Sequence, residues 1–205
     1  MLRKSPFIVP SVPVLAKSPP VGPEWQHEVK FDGWRAQLHL AGDDVTIYTR
    51  NGNDVTRRFR PIAANIAALP ARSAIVDAEI VVCDDDDKPS FGALMEGKQT
   101  ALGAWCFDLM ALDRHDLRSE PLDSRRERLR QLLIDADNRL LRFSDDFTDP
   151  QKLLAAADRM GLEGIVSKRR DQHYRSGKNP GWVKVKTATW RAANRERYKL
   201  FEKRD

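Results

Sequence analysis

Residues 27–35, His-Glu-Val-Lys-Phe-Asp-Gly-Trp-Arg, read as strand, tight turn, strand. Asp32-Gly33 is a strong hairpin signal, because glycine reaches the positive φ that two-residue turns require. Alternation through the first half sets Glu28 and Lys30 on one face and Val29 and Phe31 on the other. Lys30 then stands at the rim of a sheet, beside a turn that lets another group come close. Such a lysine is either a solvated surface residue or a nucleophile, and this stretch alone leaves both open.

Downstream, the alternation continues as a β-meander. Its first strands are Trp25–Phe31 and Trp34–Leu40, followed by Val45–Arg50, which ends at the turn pair Asn51-Gly52. Pro61–Leu69 is a short helix, with proline in the first turn and Pro70 as its stop. Ala74–Cys83 is an apolar strand with Asp77 and Glu79 on one face, and charges there need solvent, a partner or a function. Asp84–Asp87 reads as a solvated loop and Ser90–Met95 as a capped helical turn. Ala104–Met110 is a buried strand whose Asp108 faces away from Trp105, Phe107 and Leu109. Ser124–Ile134 is a basic amphipathic helix with Leu129, Leu132 and Leu133 as its core stripe. Leu140–Phe143 is a short strand, and Asp149-Pro150 opens a helix that ends at Met160, before Gly161. The last strands are Gly164–Arg169 and Trp182–Lys186. In the latter, Trp182, Lys184 and Lys186 share a face while Val183 and Val185 turn to the core.

Upstream, residues 1–23 carry Pro6, Pro10, Pro13, Pro19, Pro20 and Pro23, which rules out a regular helix or a central strand. The expectation is an extended arm, laid over the domain through Phe7, Ile8 and Val9.

The whole chain has 205 residues, enough for one sizeable domain or two small ones. Its 35 Lys and Arg against 30 Asp and Glu, most dense from Ser167 onward, suit an anionic partner. No apolar run approaches a membrane span. Cys83 and Cys106 give neither a disulfide framework nor a metal spacing, and the four histidines are scattered, so a reducing cytosol fits.

Six motifs occur in order: KFDGWR (30–35), TRNG (49–52), DAEIV (77–81), FDLM (107–110), EGIVSK (163–168) and WVKVK (182–186). Alone, each has an ordinary explanation: Phe107 as core, Glu79 and Glu163 as surface acids, Lys184 and Lys186 as the polar face of a half-exposed strand. Together they resemble the covalent nucleotidyltransferase superfamily of ATP-dependent DNA ligases, RNA ligases and mRNA capping enzymes. The flanking text is similar to the ligase module of bacterial multifunctional end-joining DNA ligases, from about Pro23 to about Thr187.

That resemblance implies an α+β fold of mostly antiparallel sheets packed with helices, with the nucleotide in a cleft between them. It implies an adenylation domain over 24–188, a proline-rich arm over 1–23 and a charged tail over 189–205. About twenty residues follow Lys186, too few for the OB-fold domain that such ligases usually carry next. Lys30 becomes the nucleophile that attacks the α-phosphorus of ATP to give lysyl-AMP. Arg35 and Glu79 hold the ribose, Phe107 stacks on the adenine, and Val166 closes its other face. Glu28 and the backbone of Val29 belong to the base-recognition edge. Lys184 and Lys186 meet the α-phosphate, Glu163 faces the metal, and Arg50 grips the DNA 5′-phosphate. ATP and Mg²⁺ are the implied cofactors, nicked double-stranded DNA the substrate, and an end-bridging protein such as Ku a partner. DNA repair or recombination in the bacterial cytoplasm, close to the nucleoid, is the implied setting. An RNA-end ligase, a GTP-using enzyme and a non-catalytic nick-binding module remain alternatives.

The attack needs an unprotonated amine. Lowering a lysine pKa from ~10.4 to ~7 takes roughly 5 kcal/mol of selective destabilisation of the ammonium. A like charge about 5 Å away supplies on the order of 3 kcal/mol at an effective dielectric of ~20. Lys184 and Lys186 are the expected source, with partial burial helping.

Overall fold

Residues 25–41 form two strands, but the strands do not form a hairpin. The computed structural model describes residues 6–83, 94–97, 101–136 and 139–194. In it β2 (Trp25–Lys30) and β3 (Trp34–Ala41) belong to different sheets. Phe31 to Gly33 is where the chain crosses between them. Gly33 is not among the glycines at positive φ. Its lack of a side chain serves close approach instead, since a Cβ there would lie 2.3 Å from the carbonyl oxygen of Ile80.

One sheet continues from β3. It pairs antiparallel with β4 (Asp44–Thr49) and β5 (Ser73–Val82); β5 pairs with β6 (Leu102–Leu112), and β6 with β7 (His115–Asp116). The short β8 (Leu141–Phe143) runs parallel to β6. The other sheet has the order β1-β11-β10-β2-β9, with β1 Ser11–Leu15, β9 Asp146–Phe147, β10 Gly164–Arg169 and β11 Gly177–Lys186. Only β1 beside β11 and β8 beside β6 are parallel among the described strands. The expected α+β class of mostly antiparallel sheets is what the chain adopts.

Helices cover one face of each sheet. On the β3–β6 sheet, α1 (Arg60–Ala67) buries Ile62 and Ile66, one turn apart, beside Leu38, Ile47 and Val76. Each such side chain contributes roughly 1.5–3 kcal/mol by leaving water. Helix α2 (Leu122–Asp135) adds Leu129, Leu132 and Leu133 to the same core. On the second sheet, α3 (Pro150–Arg159) packs Leu153 and Ala157 on Ile165 and Val185. Its N-terminus is capped by Asp149, which accepts from the backbone of Gln151 and Lys152. No helix among the described residues is long and apolar enough to cross a membrane.

Several expectations change. The proline-rich segment is not all arm. Ser11–Leu15 is a strand on a sheet edge, where Pro13 is tolerated at a register shift. Phe7 and Ile8 do pack on the domain, through an edge contact to Tyr48 and hydrogen bonds to Gln37, whereas Val9 is exposed. Leu109 does not share a face with Phe107. Asp77 aligns with Asp108 and Ala78 with Cys106, which leaves Phe107 as a bulge residue. The bulge turns Leu109 into the core and Phe107 out of it. At the other end, the expected boundary at residue 188 falls in α4 (Ala188–Ala193), whose Trp190 is buried. The Asp84–Asp87 loop, residues 90–93 of the expected helical turn and the tail beyond Asn194 lie outside the described residues.

Candidate active site

The uncovered faces of the two sheets line a common cleft of about 770 Å³. One wall presents Glu28, Val29 and Lys30 from β2, Glu163 and Val166 at β10, and Lys184 and Lys186 from β11. The other presents Arg35 from β3, Glu79 from β5 and Phe107 from β6. Arg50, just past β4, is exposed at the mouth. All these residues line one cleft, although the Val29 side chain itself packs against the Leu153, Ile165 and Val185 core on the other face of the sheet.

Strand register arranges the first wall in rows. Glu28, Val166 and Lys184 lie side by side, and Lys30, Gly164 and Lys186 form the next row. Gly164 keeps that row tight, because a Cβ there would lie 2.0 Å from the carbonyl oxygen of Val185. Glu163, immediately before it, turns its carboxylate between two ammonium groups. Lys30 Nζ donates to Oε2 at 2.5 Å, and Lys186 Nζ lies 3.1 Å from Oε1. Lys186 Nζ also sits 3.7 Å above the Trp190 ring.

This geometry corrects the expected electrostatics. Burial disfavours the Lys30 ammonium, but Glu163, Glu79 and Asp32 outweigh it, so the pKa of Lys30 is raised rather than lowered. Lys186 is lowered instead, through burial and the charges of Lys30 and Lys184, against the pull of Glu163. Lys30 Nζ is bonded to a carboxylate, whereas Lys184 and Lys186 both stand on β11, which β10 separates from β2. Burial opposes ionisation of Glu163, yet Lys30 and Lys186 bring its pKa down overall.

Arg35 and Glu79 stand opposite each other in register. They are not bonded partners. Arg35 makes a two-pronged ion pair with Asp77, at 3.0 and 2.7 Å, and donates to the carbonyl oxygen of Ser11. Tyr174 completes this group, donating to Asp77 at 3.2 Å and accepting from the Ser11 amide at 3.0 Å. Thus the two acids of β5 divide: Asp77 has a partner, and Glu79 faces the cleft. Burial pushes Glu79 up to about 7, against the pull of Lys30 and Arg35.

At the other end of the cleft, Phe107 and Val166 are apolar walls, and Glu28 is nearly enclosed. Its Oε1 receives Lys168 at 2.7 Å, Gln26 at 3.0 Å and Arg126 at 3.1 Å, and its Oε2 receives Ser144 at 3.1 Å. Lys168 also lies over the Phe107 and Trp182 rings, at 4.3 and 4.5 Å. Burial and the neighbouring Arg126 lower its pKa against the pull of Glu28. Sequence reasoning missed Lys168, Ser144 and Arg126. The available signals were Lys168 at the end of EGIVSK (163–168) and Arg125-Arg126, two adjacent arginines beside the leucine stripe of α2. Both are buried, and Arg125 is locked to Asp108 at 2.8 and 2.9 Å.

Comparison with known proteins bears on this site. The family model described as ATP dependent DNA ligase domain matches residues 15–186. The Multifunctional non-homologous end joining protein LigD of Pseudomonas aeruginosa is 38% identical over 185 residues, which are 88% of this chain and 22% of that protein. Among solved structures, the ligase domain of M. tuberculosis LigD superposes with a TM-score of 0.76 at 27% identity, over 87% of this chain and 60% of that one. A mycobacterial DNA ligase D complexed with ATP and MES gives 0.75 at 28%, with the same coverage of each chain. The chain therefore spans about a fifth of its curated relative and three fifths of these solved domains.

Proposed function

The chain belongs to the ATP-dependent DNA ligase domain family, and on that premise we propose that it is an adenylation unit that charges itself with AMP for sealing nicked double-stranded DNA. The observation that carries this reading is the Glu163 carboxylate held between Lys30 and Lys186 on one wall of a two-walled cleft.

In this reading ATP lies along the cleft. Phe107 and Val166 take the adenine between them, Glu28 and the Val29 backbone meet its edge, and Arg35 and Glu79 face the ribose. Lys184 and Lys186 offset the charge of the α-phosphate. Lys30 Nζ, once unprotonated, attacks the α-phosphorus; an N–P bond forms, the bond to the β-phosphate oxygen breaks, and pyrophosphate leaves. A DNA 5′-phosphate, held by Arg50, then attacks the same phosphorus and releases Lys30. The 3′-hydroxyl displaces AMP to close the nick.

Lys30 cannot attack while Glu163 holds it as an ammonium. Nucleotide binding must draw Glu163 away, and Glu79, with a pKa near neutrality, can carry a proton beside it. No group of three or more His, Cys, Asp or Glu among the described residues forms a metal cage. Mg²⁺ characteristically binds one or two carboxylates plus substrate phosphates, and Glu163 fits that role, with Glu79 near it. Bound there, it would neutralise phosphate charge.

We further propose that the adenylation unit expected over residues 24–188 also takes in β1 and α4, and works in the bacterial cytoplasm near the nucleoid. An end-bridging protein such as Ku is the expected partner, in keeping with the end-joining relative. Incubation with ATP and Mg²⁺ followed by intact-mass measurement should show one added AMP, and a nicked DNA duplex should discharge it. GTP in place of ATP, an RNA duplex as the better acceptor, or nick binding without adduct would each replace this reading with an alternative.

A further inference from the structure

Arg126 makes polar contacts to four groups drawn from both sheets and from the segment between β8 and β9. Its Nη1 donates to the carbonyl oxygen of Phe107 at 3.1 Å and lies 3.1 Å from Glu28 Oε1. Its Nη2 donates to the carbonyl oxygen of Ser144 at 2.7 Å and to Asp146 Oδ1 at 3.3 Å. Phe107 sits on β6 in one sheet, whereas Glu28 on β2 and Asp146 on β9 belong to the other. The side chain is 4% exposed, so these contacts are made without competing water.

We infer that Arg126 is a positioning residue that sets the width and polarity of the nucleobase slot, and so the selectivity for adenine. The inference rests on the reading of Phe107, Val166 and Glu28 as the base-binding end. A planar ring held on both faces needs walls about 7–8 Å apart, twice the ~3.5–4 Å optimum for carbon contacts. The two walls come from different sheets, so backbone pairing does not fix that gap. The planar guanidinium does, bonding a β6 carbonyl and a β2 carboxylate through the same nitrogen. Its fork is rigid, and an ammonium cannot reproduce it. The same contact fixes the direction of the Glu28 carboxylate. A fixed acceptor at the base edge suits the exocyclic amine of adenine and repels the oxygen that guanine carries at that position. Arg126 touches no substrate in this scheme; it acts through Glu28 and Phe107.

The test is adduct formation on Lys30 by the full chain, with ATP and GTP titrated separately. Arg126→Lys keeps the charge and loses the fork. Loss of a hydrogen bond to a charged group predicts about a tenfold rise in KM for ATP and about a tenfold fall in the ATP-to-GTP ratio of kcat/KM, with kcat changed little. A merely structural arginine would lower kcat and thermal stability and leave that ratio unchanged; an unchanged ratio overturns the inference. Should Arg126→Lys fail to fold, Ser144→Ala removes only the hydroxyl on Glu28 Oε2, and the ratio should fall about threefold. An unmoved ratio there also overturns it. If the unsubstituted chain forms no adduct with ATP, the functional reading fails first and takes this inference with it. If it does and the ratio stays put, only the role of Arg126 is lost.

Discussion

The two ends of the cleft use the same ingredients to opposite effect. Each holds a glutamate from the same wall between two cations: Glu163 with Lys30 and Lys186, Glu28 with Lys168 and Arg126. At the Glu28 end both partners are 3–4% exposed, and the carboxylate is also bonded to Gln26 and Ser144. At the Glu163 end, Lys30 is 23% exposed and opens onto the cleft. A dry ion pair held by several partners is a fixture, because every exchange of partner strands a buried charge. A pair open on one side can exchange partners when a phosphate arrives. Charge type does not separate a reactive lysine from a structural one here; the number of bonds around it and its access to solvent do.

The sharpest way to break this comparison is to remove one cation from each class. Lys30→Ala should abolish the AMP adduct while thermal stability falls little, because Glu163 keeps Lys186 and the cleft admits water. Arg125→Met should do the reverse. It leaves Asp108 buried without its partner, at a cost of about 3–5 kcal/mol in urea unfolding, and folded protein should still form adduct. If Lys30→Ala were the more destabilising change, the distinction between the two kinds of pair would be lost.

A titration tests the same point more finely. Burial raises Glu79 to about 7, so the folded chain binds that proton more tightly than the unfolded chain, whose carboxyl titrates near ~4.3. Between those values stability should fall as pH rises, by on the order of 3 kcal/mol in total, and Glu79→Gln should flatten the slope. Lys30 has the same sign in a more alkaline window, since its pKa is raised too, which keeps its amine protonated and unreactive to higher pH. In Glu163→Gln the midpoint of Lys30 modification by an amine reagent should move to lower pH, because the largest opposing charge is gone. An unchanged midpoint would mean that Glu163 does not hold the proton there.

How much of this was legible in the sequence follows from period. Alternation in Trp25–Lys30 and Trp182–Lys186 puts Glu28 with Lys30 and Lys184 with Lys186, and both pairs do face one cleft. Local pattern says nothing about which strand a strand will meet. Thus Asp32-Gly33 looked like a hairpin, although the glycine answers a tertiary demand, the nearness of Ile80. The prolines of residues 6–23 rule out a central strand and say nothing against an edge strand such as Ser11–Leu15. A bulge shifts the phase of β6 by one residue, which alternation cannot anticipate. Arg125 and Arg126 fall off the leucine stripe of a basic helix, and Lys168 closes the EGIVSK motif, with nothing in either pattern to mark burial, since charges usually face solvent. Their burial is set by Asp108 and Glu28, which come from other strands.

The most direct measurement is peptide-level mapping of AMP on the unmodified chain after incubation with ATP and Mg²⁺. Lys30, Lys168 and Lys186 all lie in the cleft and all contact a glutamate. AMP should appear on the peptide that contains Lys30 and on neither of the others. AMP on Lys168 or Lys186, or on no lysine at all, would contradict the assignment of the exchangeable pair as the reactive one.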